Sequence, residues 1–165
     1  MCTRSILLEY TTLAFQLMSN RPKRRRSAHN RFLRINGANN RADGSAPCGA
    51  HQLPPDWAWE RFLVVDAGNG QIALHNRSHN RFLRGTDTGD VDGSSPCDAF
   101  ALPREWAWER WSVVDAGNGQ IALYNRALGK FLRIKDNIDA DLGSPCGEFN
   151  LPRDWAWERF TVTRA

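Results

Sequence analysis

Short segments in which apolar and polar residues alternate recur along this chain. GQIALHN (70–76) and GQIALYN (119–125) place an isoleucine and a leucine two positions apart, which is the period of a half-buried strand. NRFLR (80–84) holds two apolar residues between arginines and predicts a second, shorter strand. WAWERFLVV (57–65) is rich in aromatic and β-branched residues, and it gives the strongest strand prediction in the chain.

Turn residues separate these segments. VDGSSPC (91–97) and ADLGSPC (140–146) predict a weaker, very short strand followed by a turn. The Asn-Gly pair of DAGNG (66–70) indicates a tight β-hairpin. No segment has a sustained helical period, although the apolar residues over Leu7–Met18 also fit a short helix.

The same pattern of strands and turns occurs three times. Residues 56–76 and 105–125 differ at only four of 21 positions. Two series of residues recur every 49 positions, namely Trp57, Trp106 and Trp155, and Cys48, Cys97 and Cys146. The sequence is therefore an internal repeat of about 49 residues, which dictates how the fold must be interpreted.

The repeat boundaries follow from the Gly-Gln of GQIAL. They give complete units at 70–118 and 119–165, and a first unit at about 14–69. In the first unit, FQLMSN (15–20) would stand where QIALHN stands in the next one. Met1–Leu13 is then a leader that is either disordered or a diverged strand.

Three units of four strands predict an all-β fold with twelve strands. One four-stranded unit cannot bury its apolar face alone, but three copies around one axis cover one another's edges. A three-bladed propeller is the competing geometry, but propellers typically begin at four blades. The sequence therefore predicts a β-trefoil with three pseudo-equivalent four-stranded units.

The order of the repeated segments resembles a known family. WxWERF, then GQIALxN, then NRFLR is similar to the repeat of fascin-like β-trefoils, and GKFLR (129–133) is the closest copy of the last element. The resemblance covers about residues 14–165, whereas ricin-type trefoils fit less well because the chain has no Gln-x-Trp triplet. It implies a binding or scaffolding module for actin filaments or another protein surface, acting through exposed charged patches.

Basic residues are concentrated in one short stretch. The chain has 22 Lys and Arg against 18 Asp and Glu, a formal charge of +4, but Arg21–Arg34 contains seven of the basic residues and no acid. The remainder carries 15 basic and 18 acidic residues, or −3, which argues against a nucleic-acid-binding surface. The run Lys23, Arg24, Arg25 and Arg26 is predicted to be exposed and to contact a partner or direct nuclear import.

The sequence favours a cytoplasmic monomer without metal or cofactor. The apolar stretches near the start are too short and too interrupted for a membrane span or a signal peptide. The repeated cysteines lack CxxC spacing, so we expect thiols that pack after a turn rather than metal ligands. The acidic loops at 87–92 and 136–141 lack the glycine and the terminal glutamate of a calcium-binding EF-hand.

The aromatic residues offer a second kind of function. Trp57, Trp106 and Trp155 are candidate stacking platforms for sugar rings, although large aromatics also fill cores. Trp111 stands where the other copies have Phe62 and Phe160, and it is predicted to be a core residue.

Polar residues in one loop are the remaining ligand candidates. His75, Asn76, His79 and Asn80 could bind sugar hydroxyls or form a tight turn. The repeated Glu-Arg pairs, such as Glu60-Arg61, favour a charge pair with an arginine of the NRFLR strand over acid–base catalysis. We therefore expect a protein that is not an enzyme, with a carbohydrate-binding lectin as the alternative to the scaffolding module.

Overall fold

The computed structural model describes residues 11–17, 30–49 and 52–165, which form β-strands and no helix. Within these residues there is consequently no helix that could cross a membrane. The twelve strands are β1 (Thr12–Leu17), β2 (Arg31–Ile35), β3 (Ala42–Gly44), β4 (Phe62–Gly68), β5 (Gln71–Asn76), β6 (Arg81–Gly85), β7 (Val91–Gly93), β8 (Ser112–Gly117), β9 (Gln120–Asn125), β10 (Lys130–Ile134), β11 (Ala140–Leu142) and β12 (Phe160–Arg164).

Six of the strands close into a barrel. β1 pairs antiparallel with both β12 and β4, β4 with β5, β8 with β9, and β9 with β12. The circle is completed between β5 and β8, where Ile72 and Trp111 exchange two backbone hydrogen bonds of 2.8 Å. Closure leaves the barrel strands without an unpaired edge along the circle.

The other six strands form three hairpins, one in each repeat. β2 pairs with β3, β6 with β7 and β10 with β11. The hairpins join in a ring through three backbone hydrogen bonds of 2.8–3.0 Å, from the amides of Gly44, Gly93 and Leu142 to the carbonyls of Ile138, Asn40 and Gly89, respectively. A six-stranded barrel with three hairpins around one axis is a β-trefoil, so the predicted fold is confirmed.

The core contains equivalent residues from all three repeats. Phe62, Trp111 and Phe160 occupy matching positions and are fully buried. The prediction for Trp111 is confirmed, and its indole Nε1 donates to the carbonyl of Leu83 at 3.1 Å. Burying one such ring contributes about 2–3 kcal/mol, and the hydrogen bond removes the cost of placing an indole N–H in the core.

The first repeat begins earlier than its sequence indicated. β1 occupies the position that β5 has in the second repeat, because Gln16 pairs with Phe32 as His75 pairs with Phe82. The prediction that residues 15–20 occupy this position is therefore wrong by three residues. When β1 and β5 are aligned, only one alanine is identical. The sequence of β1 therefore did not indicate how it aligns with the other repeats. Residues 1–10, which hold most of the predicted leader, lie outside the described part of the chain.

The fourth strand of each repeat starts later than predicted. Residues 54–61 form two successive turns, with Trp57 N donating to Pro54 O at 3.1 Å and Arg61 N donating to Ala58 O at 3.4 Å. β4 begins only at Phe62. The strand predicted over 57–65 is therefore wrong for residues 57–61, and Trp57 and Trp59 lie outside the barrel strands.

The hairpin between β4 and β5 is confirmed. Asn69 and Gly70 have φ values of 54° and 73°, which is the left-handed pair that a type I′ turn requires. Asp66 Oδ1 accepts a hydrogen bond of 2.9 Å from Gly68 N and so fixes the bulge that precedes the turn.

One residue in the ring of hairpins is conformationally strained. Ile138 has a φ of 72°, whereas the equivalent positions are Asn40 at 58° and Gly89 at 88°. A left-handed conformation costs a β-branched residue about 1–2 kcal/mol. We expect Ile138→Asn to raise the free energy of unfolding by about 1 kcal/mol, measured by urea denaturation. The reverse change, Asn40→Ile, should lower it by more, because it also removes the hydrogen bond of 2.8 Å from Asn40 Nδ2 to Gly93 O. An Ile138→Asn variant no more stable than the parent would contradict this assignment.

Candidate functional site

Five side chains of the same types recur at equivalent positions in each repeat. Each tryptophan cluster, as we name it, contains two half-buried tryptophans, a buried glutamate and an arginine paired with an aspartate. The members are Trp57, Trp59, Glu60, Arg34 and Asp43 in the first repeat, Trp106, Trp108, Glu109, Arg84 and Asp92 in the second, and Trp155, Trp157, Glu158, Arg133 and Asp141 in the third.

A hairpin positions the arginine and the aspartate of each cluster. Arg84 and Asp92 lie opposite each other on β6 and β7, and the guanidinium contacts both carboxylate oxygens at 2.7 and 3.1 Å. The corresponding shorter distances are 2.6 Å in the first and third repeats. This two-point contact fixes the plane of the guanidinium.

A second arginine holds the turn that carries the tryptophans. In the second repeat, Arg110 Nε donates to Trp106 O at 3.1 Å and Nη2 donates to Pro103 O at 3.0 Å, while Nη1 bonds to Ala67 O. Arg159 makes the same three contacts in the third repeat. In these two repeats the arginine after the glutamate satisfies carbonyl groups of the turn and of a neighbouring strand, and in the first repeat Arg61 Nη2 donates to Pro54 O at 2.9 Å.

The glutamate of each cluster is buried beside the hairpin arginine. Glu60, Glu109 and Glu158 are 3–4% exposed, and Glu60 Oε1 lies 4.0 Å from Arg34 Nη1, which is the predicted type of charge pair. Burial is the largest effect on these carboxyl groups, and it raises the pKa of all three, that of Glu158 to about 6.

A cleft opens over the cluster of the second repeat. Its volume is about 300 Å³, and its walls bring aromatic rings together with carboxylates and a guanidinium. It is lined by Arg84, Ser95, Glu105, Trp106, Ala107, Trp108 and Glu109. Sequence reasoning named Trp106 and paired the glutamate with an arginine of the NRFLR strand, but it missed Asp92, although an aspartate eight or nine residues after that arginine recurs in all three repeats.

The predicted loop residues His75 and Asn76 lie inside the fold. His75 is 3% exposed, and Nε2 lies 2.9 Å from Cys97 O and 3.1 Å from Asn80 Oδ1. Asn76 is fully buried, and its Nδ2 donates to three carbonyls of the tryptophan turn, including Trp59 O at 3.0 Å. In this placement both side chains connect backbone segments instead of facing solvent.

His79 and Asn80 lie nearer the surface. Asn80 is exposed and has a φ of 52°, so it forms the left-handed position of the loop between β5 and β6. His79 Nε2 lies 2.9 Å from Ile35 O, and its ring packs 5.5 Å from that of Trp59. His79 therefore joins the second repeat to the tryptophan cluster of the first.

The remaining sequence-based candidates are the basic run and the repeated cysteines. Lys23, Arg24, Arg25 and Arg26 lie outside the described residues. The three repeated cysteines are half-buried thiols, and each Sγ points to the carbonyl four residues later, as in Cys48 to Gln52 O at 3.1 Å. Within the described ranges, His, Cys, Asp and Glu do not gather in groups of three that could hold a metal ion.

Comparison with known proteins identifies the fold. No protein-family model matches the sequence, and none of the curated proteins does. The chain is similar to a GlcNAcα1-4Gal-releasing endo-β-galactosidase from Clostridium perfringens, with 13% identity and a TM-score of 0.67 over 94% of this chain. It spans only about a third of that enzyme's chain, 32%.

A second solved structure has the same architecture over its whole length. The chain is similar to the designed three-fold symmetric protein ThreeFoil, with 14% identity and a TM-score of 0.62 over 93% of this chain and 99% of that one. At such identities the similarity establishes the β-trefoil fold alone.

The hydrogen bond between His75 and Cys97 O allows a test of the structural role of His75. Gln16 and Tyr124 occupy the same position in the other repeats and donate to the carbonyls of Cys48 and Cys146 at 2.9 and 2.8 Å. We expect His75→Leu to lower the free energy of unfolding by about 1–3 kcal/mol, because buried acceptors lose their donor.

His75→Tyr is the matched control, because it restores a donor of the type found in the third repeat. Thermal or urea denaturation measures both variants. Equal destabilisation by leucine and tyrosine would show that the hydrogen bond does not matter.

The raised pKa of Glu158 predicts a pH-dependent gain in stability from its replacement. The carboxyl group titrates near 4.5 in the unfolded chain and at about 6 in the folded one, so folding favours the protonated form. The stabilising contribution is complete below pH 4.5 and is lost as the pH rises through about 6. We therefore expect Glu158→Gln to raise Tm at pH 7.5 and to leave it nearly unchanged at pH 4.

Glu105→Gln, which replaces an exposed carboxylate, is the control for this comparison, with Tm measured calorimetrically at both pH values. A Glu158→Gln variant less stable than the parent at pH 7.5 would show that the arginine pairing outweighs burial.

Proposed function

We propose that this protein is a non-enzymatic carbohydrate-binding module and that the cleft of the second repeat binds an uncharged sugar. The observation that carries this proposal is the cleft itself, where Trp106 and Trp108 stand beside Arg84 and two carboxylates within about 300 Å³. An aromatic ring stacks against the apolar face of a sugar, while fixed charged groups bind pairs of hydroxyls.

The charge of the cleft favours an uncharged ligand. Glu105 and Glu109 contribute two carboxyl groups, whereas Arg84 is the one cation of the lining and is already paired with Asp92. An acid also precedes the first tryptophan in the other repeats, at Asp56 and Asp154. Sulfated sugars and uronic acids would meet like charges there, so neutral glycans are the expected class.

Repetition of the cluster supports binding rather than catalysis. A pair of carboxyl groups that acts as acid and base needs two different environments. Glu60, Glu109 and Glu158 instead repeat one environment, each beside the arginine of its own hairpin and each shifted in the same direction.

A glycan array followed by titration of one soluble hit tests the proposal. We expect binding to neutral glycans, none to sulfated or uronic acid glycans, and a change in tryptophan fluorescence on titration. Trp106→Ala should raise Kd about tenfold, because an aromatic contact contributes about 1 kcal/mol or more.

Trp106→Phe, which keeps a ring, should lose less affinity than Trp106→Ala. Phe149→Ala, on a separate exposed loop, serves as the control and should leave Kd unchanged. If no neutral glycan binds, carbohydrate recognition is refuted.

Protein binding is the second candidate and is favoured by a different observation. Phe100 and Phe149 lie at equivalent positions after Cys97 and Cys146 and are 70% and 84% exposed. Exposed aromatic residues are typical of protein-binding surfaces. Actin filaments are the partner that the resemblance to fascin-like trefoils suggests, with Lys23–Arg26 as additional contacts.

Co-sedimentation with actin filaments at low salt tests this second candidate. We expect pelleting with filaments that weakens as salt rises, because charge contacts are screened, and that falls in a Phe100→Ala, Phe149→Ala double variant. Failure to pellet at low salt would exclude actin binding by this chain.

A further inference from the structure

The three tryptophan clusters differ in their neighbouring side chains, although the tryptophan turns are nearly identical in sequence. The difference lies in the side chains around the second tryptophan of each repeat, at Trp59, Trp108 and Trp157. These neighbours come from loops in which the repeats differ, and they decide whether the indole can accept a ligand.

In the first repeat, Trp59 is enclosed by three neighbours. The ring of His79 packs against it at 5.5 Å, and the guanidinium carbon of Arg34 lies 5.7 Å from its ring centre. The loop at Gly37 also approaches so closely that a Cβ there would lie 2.7 Å from Trp59 Cζ2. This tryptophan therefore already has protein partners where a sugar would need to stack.

In the third repeat, Trp157 is held by its hairpin. Its indole Nε1 donates to Asp136 Oδ1 at 3.1 Å, and Arg133 lies over the ring at 5.7 Å. Its ring also packs against the main core. Both the hydrogen-bonding edge and one face of this indole are therefore occupied.

In the second repeat, Trp108 has none of these partners among the described residues. The residue at the place of His79 is Leu128, which cannot form the imidazole contact. In the loop between β6 and β7, the polar side chains bond to one another: Thr88 Oγ1 lies 2.9 Å from Thr86 Oγ1 and 3.0 Å from Asp90 Oδ2. Trp108 is thus left facing the cleft that it shares with Trp106.

We infer that the trefoil has one strong carbohydrate site, the Trp106–Trp108 cleft, and that His79 and Asp136 keep the corresponding sites of the first and third repeats closed. The inference rests on the proposed function and narrows it to a single site. A protein with one strong site recognises a single sugar epitope at a time, whereas three equal sites would favour multivalent binding to glycan-coated surfaces.

Isothermal titration of the full chain with the neutral oligosaccharide selected on the glycan array tests this inference. We expect a stoichiometry of about one for the tight phase. Trp106→Ala should raise Kd at least tenfold, whereas the identical substitution in the third repeat, Trp155→Ala, should change it less than twofold.

A substitution that copies a residue of the second repeat into the third gives a more specific test. Leu128→His introduces the residue that encloses Trp59 at the equivalent position beside Trp108, and we expect it to raise Kd about tenfold. Leu128→Ala is its control for the loss of leucine and should bind as tightly as the parent. Thermal denaturation of each variant verifies folding.

The outcomes separate the two proposals. Three equivalent sites, or equal losses from Trp106→Ala and Trp155→Ala, would overturn the single-site inference and leave carbohydrate binding intact. Tight binding retained by Leu128→His would also count against it. A parent chain that binds no neutral glycan would refute the proposed function itself.

Discussion

The architecture depends on mutual burial among three incomplete units. A single four-stranded repeat presents an apolar face and open strand edges, and neither is covered within the repeat itself. Burial of Phe62, Trp111 and Phe160 around one axis supplies the core, while the Ile72–Trp111 contact completes the circle of strands. Because each repeat needs its neighbours, the inter-repeat contacts also position the site, as when Asn76 of the second repeat binds the tryptophan turn of the first.

Near-identical sequence does not give equivalent surfaces. The turn that carries Trp106 and Trp108 is fixed from below by Arg110 and by Asn125, whose Nδ2 donates to Trp108 O at 2.8 Å. The arginine contact to the proline carbonyl recurs in all three repeats, so the turns are alike. The asparagine contact is made to the first two turns, and Leu17 stands at the corresponding position for the third. The loops beside them have diverged, as at His79 and its counterpart Leu128. The common features of the repeats therefore determine the fold, whereas their differences change the surroundings of the tryptophans.

Sequence reasoning predicted the parts that local chemistry determines. The Asn69–Gly70 hairpin, the GQIAL strands and the buried Trp111 follow from turn preference, alternation and volume. It failed for the WAWE segment, because β-prone aromatics suggested a strand where Pro54 and Arg61 stabilise turns. It could not find the cleft, because Arg84 and Trp106 are separated by 22 positions and meet only after the hairpin and the turn have packed.

Indole N–H signals in two-dimensional ¹H–¹⁵N NMR can locate the sugar on the trefoil, because each of the seven tryptophans has its own signal. With the neutral oligosaccharide added to saturation, we expect the signals of Trp106 and Trp108 to shift, while those of Trp111 in the core and Trp157 on Asp136 stay in place. Equal shifts in all three repeats would contradict the single open cleft. A complete absence of indole shifts would contradict sugar recognition by these tryptophans.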